Sequence, residues 1–192
     1  MRVLLALSLL LTAAPALAVT PPQGPSKPPV PKEVTSEEQL FAQLQKVESA
    51  EDAHPIEEKL KSMFRASGSP SVDLLMTRAS AALAAQDNKT ARKLVEAVTA
   101  IAPRYAEGWH DRARMEQAAG DDTAALVSLQ KVVLLNPRNF AALDELGDML
   151  QDYGDKAGAL KLYRRALALD PQLESAARQV KALSQTVEGR DI

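Results

Sequence analysis

The chain has 192 residues, 46% apolar and 25% charged, with a formal net charge of −2. That is the balance of a folded protein with one domain plus appendages, and it excludes a strongly basic nucleic-acid binder. Aromatics make up only 4%, which favours helices over a β-sandwich or barrel. The absence of cysteine excludes disulfides, thiolate metal sites and a cysteine nucleophile. His54 and His110 lie far apart, which leaves little material for a histidine metal site. No metal and no cofactor is expected.

Residues 1–18 carry one charge, Arg2, followed by an apolar run from Val3 to Leu11. The run is too short to span a bilayer of about 30 Å. Ala16-Leu17-Ala18 supplies the small-x-small pattern that signal peptidase reads. Residues 1–18 are therefore expected to be a signal peptide cut after Ala18, leaving a periplasmic or secreted chain with no integral membrane segment. Residues 19–35 hold Pro21, Pro22, Pro25, Pro28, Pro29 and Pro31. Proline fixes φ and lacks an amide donor, so this stretch reads as an extended linker.

Repeats organise the remainder. Pro103, Pro137 and Pro171 are spaced by 34 residues, and so are Ala91, Ala125 and Ala159, and Asp87, Asp121 and Asp155. Two further columns hold Ala79, Ala113 and Gly147, and Val98, Val132 and Ala166. Each column has a physical task. The prolines stop long apolar-periodic segments, the aspartates cap the helices that follow, and Gly120 and Gly154 suit left-handed turns just before two of those caps. The Ala/Gly columns place minimal side chains where helices cross. Helix pairs are predicted, with first helices over 72–85, 106–119 and 140–153 and second helices over 88–101, 122–135 and 156–169.

The run Trp109-x-x-x-Ala113, Gly120-Asp121, Ala125, Val132, Asn136-Pro137 resembles a tetratricopeptide repeat (TPR). So, more strongly, does Leu146-Gly147, Gly154-Asp155, Ala159, Tyr163, Ala166, Asp170-Pro171. The resemblance covers about residues 72–172 and implies an all-α fold, a right-handed solenoid of helix–turn–helix hairpins, with repeats at 71–104, 105–138 and 139–172. Arg78 and Arg112 stand where the family usually has leucine, and Ala82 and Glu116 replace its usual aromatic. Arg112 and Glu116 are four apart and can pair on one helix.

Upstream, Leu40, Phe41, Leu44 and Val47 form one helical stripe, and Ile56, Leu60, Met63 and Phe64 a second, punctuated by His54-Pro55. Residues 36–70 are expected to be a degenerate fourth hairpin extending the register. Residues 173–192 read as an amphipathic capping helix and tail, which a solenoid needs to cover its last apolar face. The cluster Lys161, Arg164 and Arg165 reads as a solvated outer face.

No phosphate-binding loop, nucleophile elbow or paired-histidine helix is present, so no catalytic residue is assigned. The TPR resemblance implies that the inner face of the first helices curves into a protein-binding groove. Its residues would be Met76, Ser80 and Leu83, then His110, Arg114 and Gln117, then Asp144, Asp148 and Gln151. The family's clamp for a peptide's terminal carboxylate uses Lys, Asn and Arg at such places; only Arg114 matches, and Asp144 and Asp148 would repel a carboxylate. His110 is expected as a surface or groove histidine, and Trp109 as a core residue. The implied function is a non-enzymatic scaffold or adaptor, like the short secreted TPR proteins of Gram-negative bacteria, with a protein or peptide partner. A self-assembling homo-oligomeric module is one alternative. An envelope enzyme with a site between the N-terminal hairpin and the repeats is another, and no motif supports it. If export is right, N-terminal sequencing of the protein from its native host reads Val19 first, and Met1 retained in a cytosolic fraction would refute it.

Overall fold

A computed structural model describes residues 36–189. The expected signal peptide and linker, residues 1–35, lie outside the described residues, as do residues 190–192. Among the described residues there are nine helices and no strand. They are α1 (Ser36–Leu44), α2 (Ala50–Arg65), α3 (Pro70–Ala84), α4 (Asn88–Ile101), α5 (Ala106–Ala118), α6 (Asp122–Leu135), α7 (Phe140–Asp152), α8 (Lys156–Leu169) and α9 (Glu174–Val187).

The aspartate column caps as expected. Asp87, Asp121 and Asp155 accept hydrogen bonds from the backbone N–H groups of Thr90, Ala124 and Gly158 at 3.0, 3.1 and 2.8 Å. Each satisfies one of the orphan donors that open a helix. Gly120 and Gly154 take φ of 75° and 86°. The same turn in the first repeat is made by Gln86, at φ 60°, where a β-carbon is strained. The small-residue columns are sealed. Ala91, Ala113, Ala125 and Ala159 are fully buried, and a β-carbon on Gly147 would lie 2.6 Å from the Tyr163 ring. Consecutive helices α3 to α9 pack on one another in order, and the whole is an all-α helical repeat fold.

The N-terminal hairpin departs from the repeat register. Extending that register would stack α2 on α3 as α4 stacks on α5. Instead α2 packs on α5, and α1–α2 reaches the turn before α7 and the turn after α8. Glu37 pairs with Arg138 at 3.3 Å, and the Arg138 guanidinium lies 3.9 Å from the Phe41 ring centroid. Gln45 donates to the carbonyls of Ala168 and Leu169, each at 3.0 Å, and Gln172 donates to the Val47 carbonyl at 3.0 Å. Asp170 is buried beneath the hairpin. Burial, then the charge of Glu57 on α2, pushes its carboxyl up to about 6.

The physical reason lies in the apolar surfaces on offer. Leu40, Phe41, Leu44 and Leu60 share one core with α5–α9. The first repeat builds a smaller separate core from Ala79, Ala91 and Val95 with Met115 of α5, and α3, with Arg78 and Ala82 in place of large apolar residues, buries only Val72 and Ala79. A second difference concerns His54-Pro55. The helix begins earlier, at Ala50, with Ser49 accepting from the Asp52 N–H at 3.1 Å, and Pro55 sits inside it.

Gln86→Gly should relieve the left-handed strain at the first hairpin. Net of the entropy glycine adds to the unfolded chain, the gain is about 0.5–1 kcal/mol. Thermal unfolding should show a rise of a few degrees, and a fall would mean that the Gln86 side chain supports the turn.

Candidate functional site

The first helices present their inner-face residues in three settings. In the first repeat and its junction with α5, an open hollow of about 570 Å³ is lined by Ser80 and Leu83 of α3, Arg92 of α4, Arg114 and Met115 of α5, and Arg65 from the end of α2. Leu83 is 42% exposed there. Met76 and Ser80 line an adjoining hollow with Tyr105 and Asp111. Arg65 and Arg92 form no ion pair or side-chain hydrogen bond among the described residues. Three guanidiniums therefore surround an apolar floor, with Asp111 as the acid among them. The Tyr105 hydroxyl donates to the Arg65 carbonyl at 2.7 Å and ties the end of α2 to this edge.

At the middle of the face the charged side chains pair with one another. His110 is only 2% exposed, beneath α2, rather than a surface or open-groove residue. Its Nε2 lies 2.8 Å from a Glu145 carboxylate oxygen on α7, and its Nδ1 lies 3.6 Å from Glu107. Burial works against the charged imidazolium, but the two carboxylates outweigh it and push its pKa up to about 9. Burial likewise opposes the Glu145 charge, yet His110 and Arg114 hold its carboxyl below the usual range. Arg114 reaches Glu145 at 2.9 Å and Asp111 at 3.8 Å. Asn139, which caps α7, donates to Glu107 at 2.9 Å. The imidazole thus links α5 to α7, at the wall of a hollow of about 300 Å³ that α2 shares with them.

At the far end, Asp144 accepts from the Ser175 hydroxyl of α9, and burial raises its carboxyl above the usual value. Asp148 accepts from the Tyr163 hydroxyl at 2.7 Å, and Gln151 lies 3.4 Å from the same hydroxyl. These carboxylates are engaged within the repeat stack. Gln117 stays exposed. Ser80, Leu83 and Arg114 therefore share one hollow, whose lining does not include Asp144, Asp148 or Gln151.

Sequence reasoning missed Glu107, Glu145, Arg65 and Arg92. Glu107 precedes His110 by three on one helix and was legible as a same-face pair. Glu145 stands one residue beyond the repeat period from His110, and a register comparison could have found it. Arg65 joins only because α2 folds onto α5, which no local pattern announces. Trp109 is partly buried, with its indole N–H donating to the Pro103 carbonyl at 3.0 Å and Arg112 over its ring at 5.2 Å. The expected Arg112–Glu116 pair forms at 2.7 Å, and Ser128 of α6 donates to the same carboxylate at 2.6 Å. Among the described residues, no three His, Cys, Asp or Glu side chains are grouped to hold a metal ion.

Residues 140–173 match the tetratricopeptide repeat family model. A TPR repeat-containing protein of Rhizobium etli is 32% identical over 78 residues, 41% of this chain and 38% of that one, so the match spans well under half of the relative. Among solved structures, MamA has a TM-score of 0.56 at 15% identity, covering 83% of this chain and 88% of its own. The Yersinia enterocolitica type III secretion chaperone SycD, in complex with a peptide of the translocator YopD, has a TM-score of 0.55 at 15% identity, covering 62% of this chain and 95% of its own. At these identities the likeness is one of fold.

The His110 lock is directly testable. Its raised pKa means that the imidazolium supports the folded state below about 6.5, and that this support is lost as pH rises through about 9. Glu145→Gln removes one of the two carboxylates, so NMR titration of the His110 ring should show a midpoint clearly below that of the parent. An unchanged midpoint would mean that Glu107 alone sets it.

Proposed function

We propose that this chain, whose residues 140–173 match the tetratricopeptide-repeat family model and whose fold is a helical repeat, is an exported, non-enzymatic scaffold of the bacterial cell envelope. It holds a protein segment along the inner face of its first helices, at the α3–α5 end. The observation that carries this reading is the hollow of about 570 Å³ between α3, α4 and α5. Its floor of Leu83 and Met115 accepts an apolar side chain. Arg65 and Arg92, with no ion pair of their own among the described residues, favour an acidic residue beside it.

Rigid stacked helices lose little conformational freedom on docking, so contacts made there convert efficiently into affinity. The peptide complex of the similarly folded SycD supports segment capture as a use of this architecture. Asp144 and Asp148 hold the Ser175 and Tyr163 hydroxyls, and the segment lies at the α3–α5 end instead. Location in the envelope is supported by the Ala16-Leu17-Ala18 site behind a short apolar run.

The test uses the full chain with a photo-crosslinking residue at Leu83, in cells of the native host. The parent should crosslink a discrete envelope protein. Arg65→Glu combined with Arg92→Glu, the first exposed and the second half-buried, should leave the fold intact, which an unchanged melting curve checks. It should reduce that product by about tenfold or more, since like charges facing each other are costly at an interface. An undiminished product, or crosslinking only from the exposed Val127 on α6, would remove the inner face as the binding surface.

A further inference from the structure

The second helices build a different surface. Between α6 and α8, with α7 beneath, lies an open trough of about 620 Å³ lined by Val133, Leu134, Leu146, Leu150 and Leu162. Leu134 is 73% exposed and Val127, on the same helix, 60%, while Ala125, Leu129 and Val132 of α6 are buried. A helix that is apolar on its inner side and also on its outer side has more apolar surface than its own fold covers. Lys161 and Arg165 of α8 stand on the rim, and no acidic residue lines the trough. Neither cation has an ion pair or side-chain hydrogen bond among the described residues. Their neighbour Arg164 differs, being held by Glu188 at 2.7 Å.

We infer that this trough docks an amphipathic helix of a partner protein, with an apolar ridge seated between α6 and α8 and Asp or Glu on the flank beside Lys161 and Arg165. The form follows from packing, because two neighbouring helices over a third leave a groove that a fourth helix fills ridge into groove. The charge follows from the two uncompensated cations. A second copy seated trough to trough is the poorer occupant, since an axis through the trough would bring the Lys161 and Arg165 cations of both copies together. A bilayer surface is flat and leaves the trough unfilled. The trough shares no lining residue with the inner-face hollow, so this inference stands or falls separately from the function proposed above.

A displayed library of helices about 18 residues long, with leucine at i, i+3, i+4 and i+7 and randomised flanks, would be panned against the full chain. The selected sequences should carry Asp or Glu on one flank. Leu134→Asp should weaken their binding by about tenfold or more, and so should Lys161→Glu with Arg165→Glu. Arg65→Glu with Arg92→Glu should not. The second variant keeps the test valid should the first perturb α6, and an unchanged melting curve verifies each. The inference is overturned if no binder emerges, if the flanks show no acidic bias, or if both trough variants bind normally. It is also overturned if the trough variants instead abolish binding to phosphatidylglycerol vesicles or abolish a dimer seen in sedimentation, which would assign the trough to a membrane or to a second copy.

Discussion

Close approach of paired helices is the constraint on which the rest of this structure depends. At Gly147 the Tyr163 ring occupies the space a β-carbon would need, and Ala113, Ala125 and Ala159 are completely enclosed. Close-packed interiors transmit such restrictions, because a single extra methylene must displace a neighbour. With α7 and α8 held this near, Tyr163 can reach Asp148 across the pair. With α5 and α6 equally near, Ser128 reaches Glu116. Small residues thus set the distances at which the polar groups of the stack find partners.

A second level of organisation is electrostatic. Glu107, His110, Arg114 and Glu145 form a mixed-charge cluster that spans α5 and α7 beneath α2. Each buried charge in it has an opposite charge nearby, which is the condition for keeping ionised groups inside a fold. The N-terminal hairpin closes over this cluster and is fastened at its edges by Arg138, Gln45 and Gln172. Its apolar residues join the core of the second and third repeats. This leaves the first repeat with fewer cover residues and an open inner face, and the end of α2 brings Arg65 to that opening.

The consequence is a molecule with two chemically distinct surfaces. The inner hollow is rimmed by arginines that come from three different helices, so its charge is a product of assembly. The outer trough is apolar, and its cations both come from α8. A scaffold with separate surfaces can hold two partners at once, and the lack of shared lining residues means that occupying one need not exclude the other.

The helical pairs were legible because the period of 34 is written in residues whose roles are local: an aspartate caps the helix it begins, a glycine permits the turn it occupies, and a proline stops the helix it follows. For that reason the second helices, Asn88–Ile101, Asp122–Leu135 and Lys156–Leu169, run as predicted to the residue. The inner face was what the TPR resemblance implied, and Ser80, Leu83 and Arg114, placed on it by helical spacing, do share one hollow. The sequence by itself therefore determined the repeat fold and its hairpins. Only the tertiary structure decided that α1–α2 settles on α5 and the later turns, that His110 is consequently enclosed between two carboxylates, and that Arg65 meets Arg92 and Arg114. Those outcomes depend on which apolar surface competes best for the hairpin, a comparison among distant segments that no local spacing encodes.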